Sequence, residues 1–515
     1  MQIVDNRGLL LRVRNPDKIT TAIPSSQQVS NTDVLVRWGV DEATVLKNLN
    51  VRNVPSPILG KSKYDWPGRY KPFEHQKTTA SFLTMNRRSF CFNEQGTGKT
   101  ASAIWASDFL MQENLIKRVL IICPLSIMDS AWRSDLFNFA MHRTVDIAHG
   151  PKKKRQTIIN GDAEYMIINY DGVEIVKDDI ANGGFDLIIV DEATHYKNAQ
   201  SKRWKVLASI VKPETWLWLM TGTPAAQSPV DAYGLAKLVN PKSVPRFFGS
   251  FRESVMQKIS QFKWVPKPNA TETVFNALQP AIRFTKEQCL DLPEMTYVKR
   301  EVELTPQQKK YYDILRKQMM ATADGEQITA ANAAVNMNKL LQISCGAVYT
   351  DSGETIEFDI KNRYKVLKEV INESSQKVLI FVPFKHVIEL LKEKLFKDGI
   401  SNAVISGGVS ANRRTEIFKA FQTTDTPRVL IIQPQAAAHG VTLTAANTIV
   451  WWGPTASLET YAQANARVHR SGQKHPCTVV QLQGPPVEKR MYRMLDERIN
   501  VHTQIIDLYK DVLEL

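Results

Sequence analysis

Two α/β units in tandem, each built on a parallel sheet, are the fold this sequence predicts, and three observations predict it. Short apolar, β-branched runs recur along most of the chain. In the first half they are SFCFN (89–93), VLIIC (119–123), YMIIN (165–169), LIIVD (187–191) and WLWLMTG (216–222). In the second half they are KVLIFV (377–382), NAVISG (402–407), RVLIIQ (428–433), NTIVWWG (447–453) and CTVVQL (477–482). These runs are continuous rather than alternating, which marks strands covered on both faces. Between them lie amphipathic stretches such as HVIELLKEKLFKDG, which reads as a helix with a glycine stop. Finally, 515 residues suffice for roughly three domains at about 150 residues each.

The elements follow in order. Residues 1–65 form a small accessory segment. Within it, GLLLRVRNP and TTAIPSS read as short strands and DEATVLKNLNV as a helix with Asp41 at its N-cap. The Pro- and Gly-rich VPSPILGKSKYDWPG (54–68) reads as a linker. The first α/β unit covers 66–242 and the second 366–515. The stretch 243–365 between them is expected to be helical, because TPQQKKYYDILRKQMMATA has helical spacing and Thr305–Pro306 is a start signal. PKKKR (151–155) reads as a solvated loop.

Composition narrows the function classes. Apolar residues are 43% and charged residues 23%, so disordered, collagen-like and coiled-coil chains are excluded. The net charge of +14 favours a polyanion, nucleic acid first. The cysteines Cys91, Cys123, Cys289, Cys345 and Cys477 show no CxxC spacing, which argues against a zinc knuckle and for a reducing compartment. The N-terminus lacks the layout of a signal peptide and no apolar run approaches membrane length, so a cytoplasmic, soluble protein is expected. No heptad seam is sustained, so a monomer is expected. WLWLM and WW (451–452) are expected in the core, with Trp452 at a wetter edge.

After SFCFN comes NEQGTGKT and then a helical run. Strand, Gly-rich loop and helix are what triphosphate binding requires. Gly96 and Gly98 let backbone N–H groups turn toward phosphate, and the helix N-terminus adds its dipole. Lys99 can reach the β- and γ-phosphates and the Thr100 hydroxyl can ligate Mg²⁺. The whole loop, Asn93, Glu94, Gln95, Gly96, Thr97, Gly98, Lys99 and Thr100, is the candidate nucleotide contact. Asn93 stands where the usual first glycine would be. FDLIIVDEATHYKN then ends a strand in Asp191 and Glu192, the first suited to hold Mg²⁺ and the second to deprotonate water. Downstream, Gln463, Arg467 and Arg470 are spaced i, i+4, i+7, one face of a helix, and the two guanidiniums are candidate arginine fingers.

In order over residues 70–505, these segments resemble the motifs of superfamily 2 helicases, and specifically of the SNF2 group of DNA translocases in its compact, virus-encoded form. KPFEHQK resembles the Q motif, with Gln76 as adenine reader. FNEQGTGKT is similar to motif I (family form DEMGLGKT) and DEATHYKN to motif II. CPLSIMDSAWRSDL (123–136) is similar to motif Ia, TGTPAAQ (221–227) to motif III, and VLIFVPF (378–384) to motif IV. RFTKEQCLDLP (283–293) and LTPQQKKYYDIL (304–315) resemble SNF2-specific elements. HGVTLTAANTIVWWGPTAS (439–457) and QANARVHRSGQ (463–473) resemble motifs V and VI. Three places depart from the pattern: Thr194 for a histidine, with His195 beside it; Ala437 and Ala438 for a glycine pair; and Gln227 for an asparagine.

The resemblance implies two RecA-like lobes with helical inter-lobe insertions, closing on MgATP. Lys99, Glu192, Arg467 and Arg470 would be catalytic, Thr100 and Asp191 metal-binding. Ser126, Thr221, Gly222, Thr223, Gly440 and Thr442 would contact DNA. It further implies a DNA-stimulated ATPase acting on duplex or branched DNA, independent of sequence, in replication, recombination or repair. An RNA helicase, a motor subunit of a larger restriction or repair machine, and an ATP-binding scaffold are the alternatives. Residues 1–65 are either a module selecting branched DNA or a decoration packed on the first lobe.

Overall fold

The computed structural model describes residues 1–60, 63–222, 224–225, 228–260, 264–289, 292–323, 330–349, 354–437, 441–470 and 472–497. The chain divides into two compact units, Met1–Cys289 and Leu290–Leu515.

The first unit is built on a seven-stranded parallel sheet. Its spatial order is Ala281–Ile282, Arg88–Cys91, Trp216–Met220, Leu187–Val190, Val119–Cys123, Tyr165–Asn169, Val145–Ile147. The central strands are buried along their whole length, as continuous apolar runs require when helices cover both faces. Each Val, Leu or Ile so buried contributes about 1.5–3 kcal/mol relative to exposure. PKKKR lies mostly in a helix, Lys152–Ile159, and not in a solvated loop. Arg155 is buried there because its guanidinium satisfies the carbonyls of Ala148 and Gly150 and the side chain of Asn169.

Residues 1–50 form an antiparallel sheet in the order Gln2–Val4, Gly8–Arg12, Asp33–Arg37, Gln27–Gln28, with two helices. Two local expectations are corrected. The residues Thr20–Ala22 of TTAIPSS close a helix, Pro16–Ala22, whose N-cap Asn15 accepts from the Lys18 N–H and whose Pro16 has no N–H to leave unpaired. The second helix, Val40–Asn48, is capped at Gly39, with Asp41 inside the first turn, where its charge still meets the helix dipole. Val40 of this module and Ile58 and Tyr64 of the following segment join Ala80, Leu83 and Phe109 in one apolar core. The Pro-rich stretch is therefore a packed strap, and Tyr64 OH donates to Asp108 at 2.7 Å.

The second unit holds a six-stranded parallel sheet in the order Met295–Glu301, Cys477–Gln483, Ala446–Trp451, Lys377–Phe381, Val429–Ile432, Asn402–Ile405. The stretch 243–365 is thus not one helical block. Ala281–Ile282 extends the first sheet and Met295–Glu301 the second, each as an edge strand. The helix Pro306–Ala323 forms where expected, and Thr305 and Gln308 cap it reciprocally: the Thr305 N–H donates to Gln308 Oε1 at 3.1 Å and the Gln308 N–H to Thr305 Oγ1 at 3.4 Å. Trp452 is fully buried, its indole donating to the Cys345 carbonyl at 2.8 Å, so it lies in the core and not at a wet edge. Among the described residues no helix is long and apolar enough to cross a membrane.

Candidate nucleotide site

The strand Arg88–Cys91 runs through a short loop into the helix Lys99–Gln112. Gly96 and Gly98 take φ of +89° and +80°, the left-handed region that glycine enters without penalty. A Cβ on Gly98 would lie 2.1 Å from Gln76 Nε2, so any other residue would have to displace that amide as well as strain the left-handed backbone. The loop's backbone therefore turns just before a helix N-terminus, where free N–H groups and the dipole favour an anion. Lys99 is buried and its Nζ donates to the Asn93 carbonyl at 2.9 Å, under the arch of the loop. Gln76, on the helix Glu74–Thr84, accepts the Phe73 N–H and donates to the Thr97 carbonyl, beside His75, whose ring nitrogen meets the same carbonyl at 2.8 Å. The adenine reader suggested by the sequence is thus bonded into the phosphate loop.

Asn93 and Glu94 hold the loop. Asn93 Nδ2 donates to Thr79 Oγ1 at 2.8 Å, and its Oδ1 accepts the Phe284 N–H at 2.9 Å. Glu94 Oε2 accepts the Lys286 N–H at 3.2 Å. Their side chains bond to neighbouring segments of the chain.

Asp191 and Glu192 follow the strand Leu187–Val190, two places along the sheet from the strand that feeds the loop. All these groups thus cluster outside the carboxyl ends of parallel strands, the usual ligand edge of such sheets. Asp191 Oδ2 accepts the Trp132 indole N–H at 3.0 Å, its Oδ1 accepts the Glu192 N–H at 3.0 Å, and its carbonyl accepts the Tyr170 hydroxyl at 2.6 Å. Glu192 Oε1 accepts from Gln95 Nε2 at 2.6 Å. Burial, and then the charge of Glu192, push the Asp191 carboxyl above its usual range, while Lys99 opposes the shift. His195 packs its ring 4.7 Å from that of Tyr170, and burial lowers its pKa, so it supports the tyrosine as a neutral ring.

Mg²⁺ fits this set. A buried carboxylate and the Thr100 hydroxyl are hard oxygen donors, and Glu192 Oε2 is buried with no hydrogen-bond partner among the described residues. Those residues include no cluster of three or more His, Cys, Asp or Glu able to hold a metal alone. The remaining ligands would come from phosphate and water, as Mg²⁺ prefers.

Thr221 and Gly222 follow the strand Trp216–Met220, next to the strand that feeds the loop. Thr221 is buried and its N–H pairs with the Cys91 carbonyl at 3.0 Å, at the end of the strand Trp216–Met220. Gly222 backs the phosphate loop, where an added Cβ would touch Gln95 at 3.5 Å. Ser126 is exposed, in the short helical turn after Val119–Cys123. Thr223, Gly440, Gln227 and Ala438 lie outside the described residues.

In the second unit the helix Leu458–Asn465 carries Gln463 but ends before the arginines. Arg467 and Arg470 therefore sit on a following turn and not on one helix face. Tertiary bonds pull the chain out of the helix. The Leu443 N–H takes the Arg467 carbonyl at 2.9 Å, Arg470 donates to the Val441 carbonyl at 3.2 Å, and Gln473 donates to the Ala446 carbonyl at 2.8 Å. Arg467 is buried, and Thr442, within the segment this turn grips, is exposed.

Trp132, Tyr170 and Gln95 were not legible as partners of the acids. Trp132 stands 59 residues from Asp191, and no local spacing links them. The one signal was the indole in the segment after VLIIC, within reach of the same sheet edge.

Comparison with known proteins gives the family. The SNF2-related domain matches residues 75–347, and the helicase conserved C-terminal domain matches residues 362–472. The chain is 25% identical over 403 residues to an uncharacterized ATP-dependent helicase of Mycoplasma genitalium, covering 76% of this chain and 37% of that protein. It spans the same 37% of the Mycoplasma pneumoniae relative. It is 26% identical to the putative protein p41 of Acyrthosiphon pisum secondary endosymbiont phage 1, over 78% of this chain and 88% of that one. The Sulfolobus solfataricus SWI2/SNF2 ATPase core in complex with dsDNA superposes with a TM-score of 0.42 at 22% identity, over 87% of this chain and 96% of that one.

Proposed function

From the premise that the chain belongs to the SNF2 family of helicase-type, ATP-hydrolysing enzymes, we propose that it is a DNA-stimulated ATPase that translocates on duplex or branched DNA. ATP is the substrate. The loop N–H groups of 96–99 and Lys99 hold its phosphates, and Gln76 reads its base. Asp191 and Thr100 would hold Mg²⁺, which when bound would supply neutralisation of the phosphate charge. Glu192 takes a proton from water, the water oxygen attacks the γ-phosphorus, and the bridging bond breaks to leave ADP. Arg467 and Arg470 meet the charge that develops on the transferring phosphate. Ser126 and Thr442, both exposed, are the proposed DNA contacts among the described residues.

One observation carries the reading: a glycine-shaped loop with a buried lysine lies at the same sheet edge as two adjacent buried acids, one with an oxygen left over. The net charge of +14 supports a polyanionic track, held through phosphates and therefore sensitive to salt and indifferent to sequence. Roles in replication, recombination or repair belong to this proposal as uses of such a motor. Glu192→Gln is expected to retain ATP-analogue affinity and to lose turnover by about 10²–10⁴-fold, the contribution of a positioned base. Turnover close to that of the parent would place the base elsewhere.

A further inference from the structure

Glu192 is held unequally. Its backbone is fixed: the N–H bonds to Asp191 Oδ1 at 3.0 Å, and φ of +48° and ψ of 55° lie in the left-handed region that a non-glycine residue rarely occupies. Its side chain has a single anchor among the described residues, the 2.6 Å bond that Oε1 accepts from Gln95 Nε2, while Oε2 is buried without a partner. A carboxylate can rotate about its last bond and present either oxygen. The Gln95 amide removes that freedom.

Gln95 is also part of the phosphate loop, between Glu94, whose Oε2 is held by the Lys286 N–H, and Gly96, whose left-handed backbone aims the next N–H groups. Gly222 backs it from the neighbouring strand end, close enough that an added Cβ would touch both its Cγ and its N at 3.5 Å. The amide is therefore positioned by the same backbone that would cradle the triphosphate. The motif form DEMGLGKT carries methionine at this place, which matches glutamine in length and donates no hydrogen bond.

We infer that Gln95 is the positioning residue for the base: its amide occupies Oε1 of Glu192, fixes the carboxylate, and leaves Oε2 as the acceptor of the proton from the attacking water. This rests on the assignment of Glu192 as base. It adds a link that the assignment lacks, because the loop that grips the phosphates thereby sets the direction of the group that activates water.

The test uses the full chain with saturating duplex DNA. Gln95→Met is expected to lower kcat by about ten- to hundredfold, the scale of a misplaced catalytic group. The KM for ATP and the affinity for a non-hydrolysable ATP analogue should stay within about twofold, because the loop backbone is untouched. Gln95→Asn, which keeps the amide but retracts it by one methylene, should show the same split. In single-turnover measurements on a Glu192→Gln background, Gln95→Met should add no further loss, since the two residues act as one unit. The inference is overturned if either variant turns over like the parent. It is equally overturned if analogue binding falls as far as kcat, or if Gln95→Met costs the same with and without Glu192. If Glu192→Gln alone hydrolyses normally, the base assignment fails as well; if it is inactive while Gln95→Met is normal, only the present inference fails.

Discussion

The Trp132 indole on Asp191 Oδ2 is the residue-scale feature with the clearest consequence. A neutral donor of this kind orients a metal-binding carboxylate, and losing such a partner typically costs about 10–100-fold in metal affinity. Trp132→Phe keeps the buried ring and removes only the N–H. It should raise the Mg²⁺ concentration for half-maximal ATP-analogue binding by about tenfold. An unchanged Mg²⁺ midpoint would mean that the bond does not orient Asp191. The glycines, Lys99 and the two acids were readable from the sequence because phosphate chemistry needs those residue types at that spacing. Trp132, Tyr170 and Gln95 were not, because each reaches its partner only through the fold.

At the scale of elements, the interior strands were legible because a strand covered on both faces must be continuously apolar. Six of them, 119–123, 165–169, 187–190, 377–381, 429–432 and 477–483, lie within a residue of the runs that announced them. The edge strand Met295–Glu301 was not, because its charged and half-exposed side chains carry no such signal. The arginine turn was misread as helix because its shape comes from bonds to residues 441–446 and not from local propensity. The N-terminal module shares an apolar core with the first lobe, which fits the reading of a packed decoration. In the second unit, the helix Lys361–Glu373 is joined to Pro486–Asp496 by a buried ion pair, Arg363 with Glu488, at 2.6 Å. Glu488 also accepts from Ser344 Oγ and the Gly484 N–H, and Arg363 donates to the Trp452 carbonyl. Arg363→Met leaves a buried carboxylate without its charge partner and should destabilise this unit by about 3–5 kcal/mol in chemical denaturation. A loss below about 1 kcal/mol would show that the pair is relaxed by solvent.

At the scale of the whole molecule, the chain carries two parallel-sheet units. The first holds the loop and the acids, the second the arginines. The +14 charge is the only global property that selects among partners, and it does not separate DNA from RNA. The proposed motor runs on duplex DNA, and a motor on that track hydrolyses ATP faster when the track is present. Steady-state ATP turnover should therefore be measured at one fixed salt concentration without nucleic acid and with single-stranded DNA, duplex DNA, forked DNA and RNA. Duplex or forked DNA should raise the rate at least about tenfold over the free enzyme and over RNA, with stimulation falling steeply as salt increases. Equal rates in all five conditions would contradict a DNA motor, and preferential stimulation by RNA would make the chain an RNA helicase.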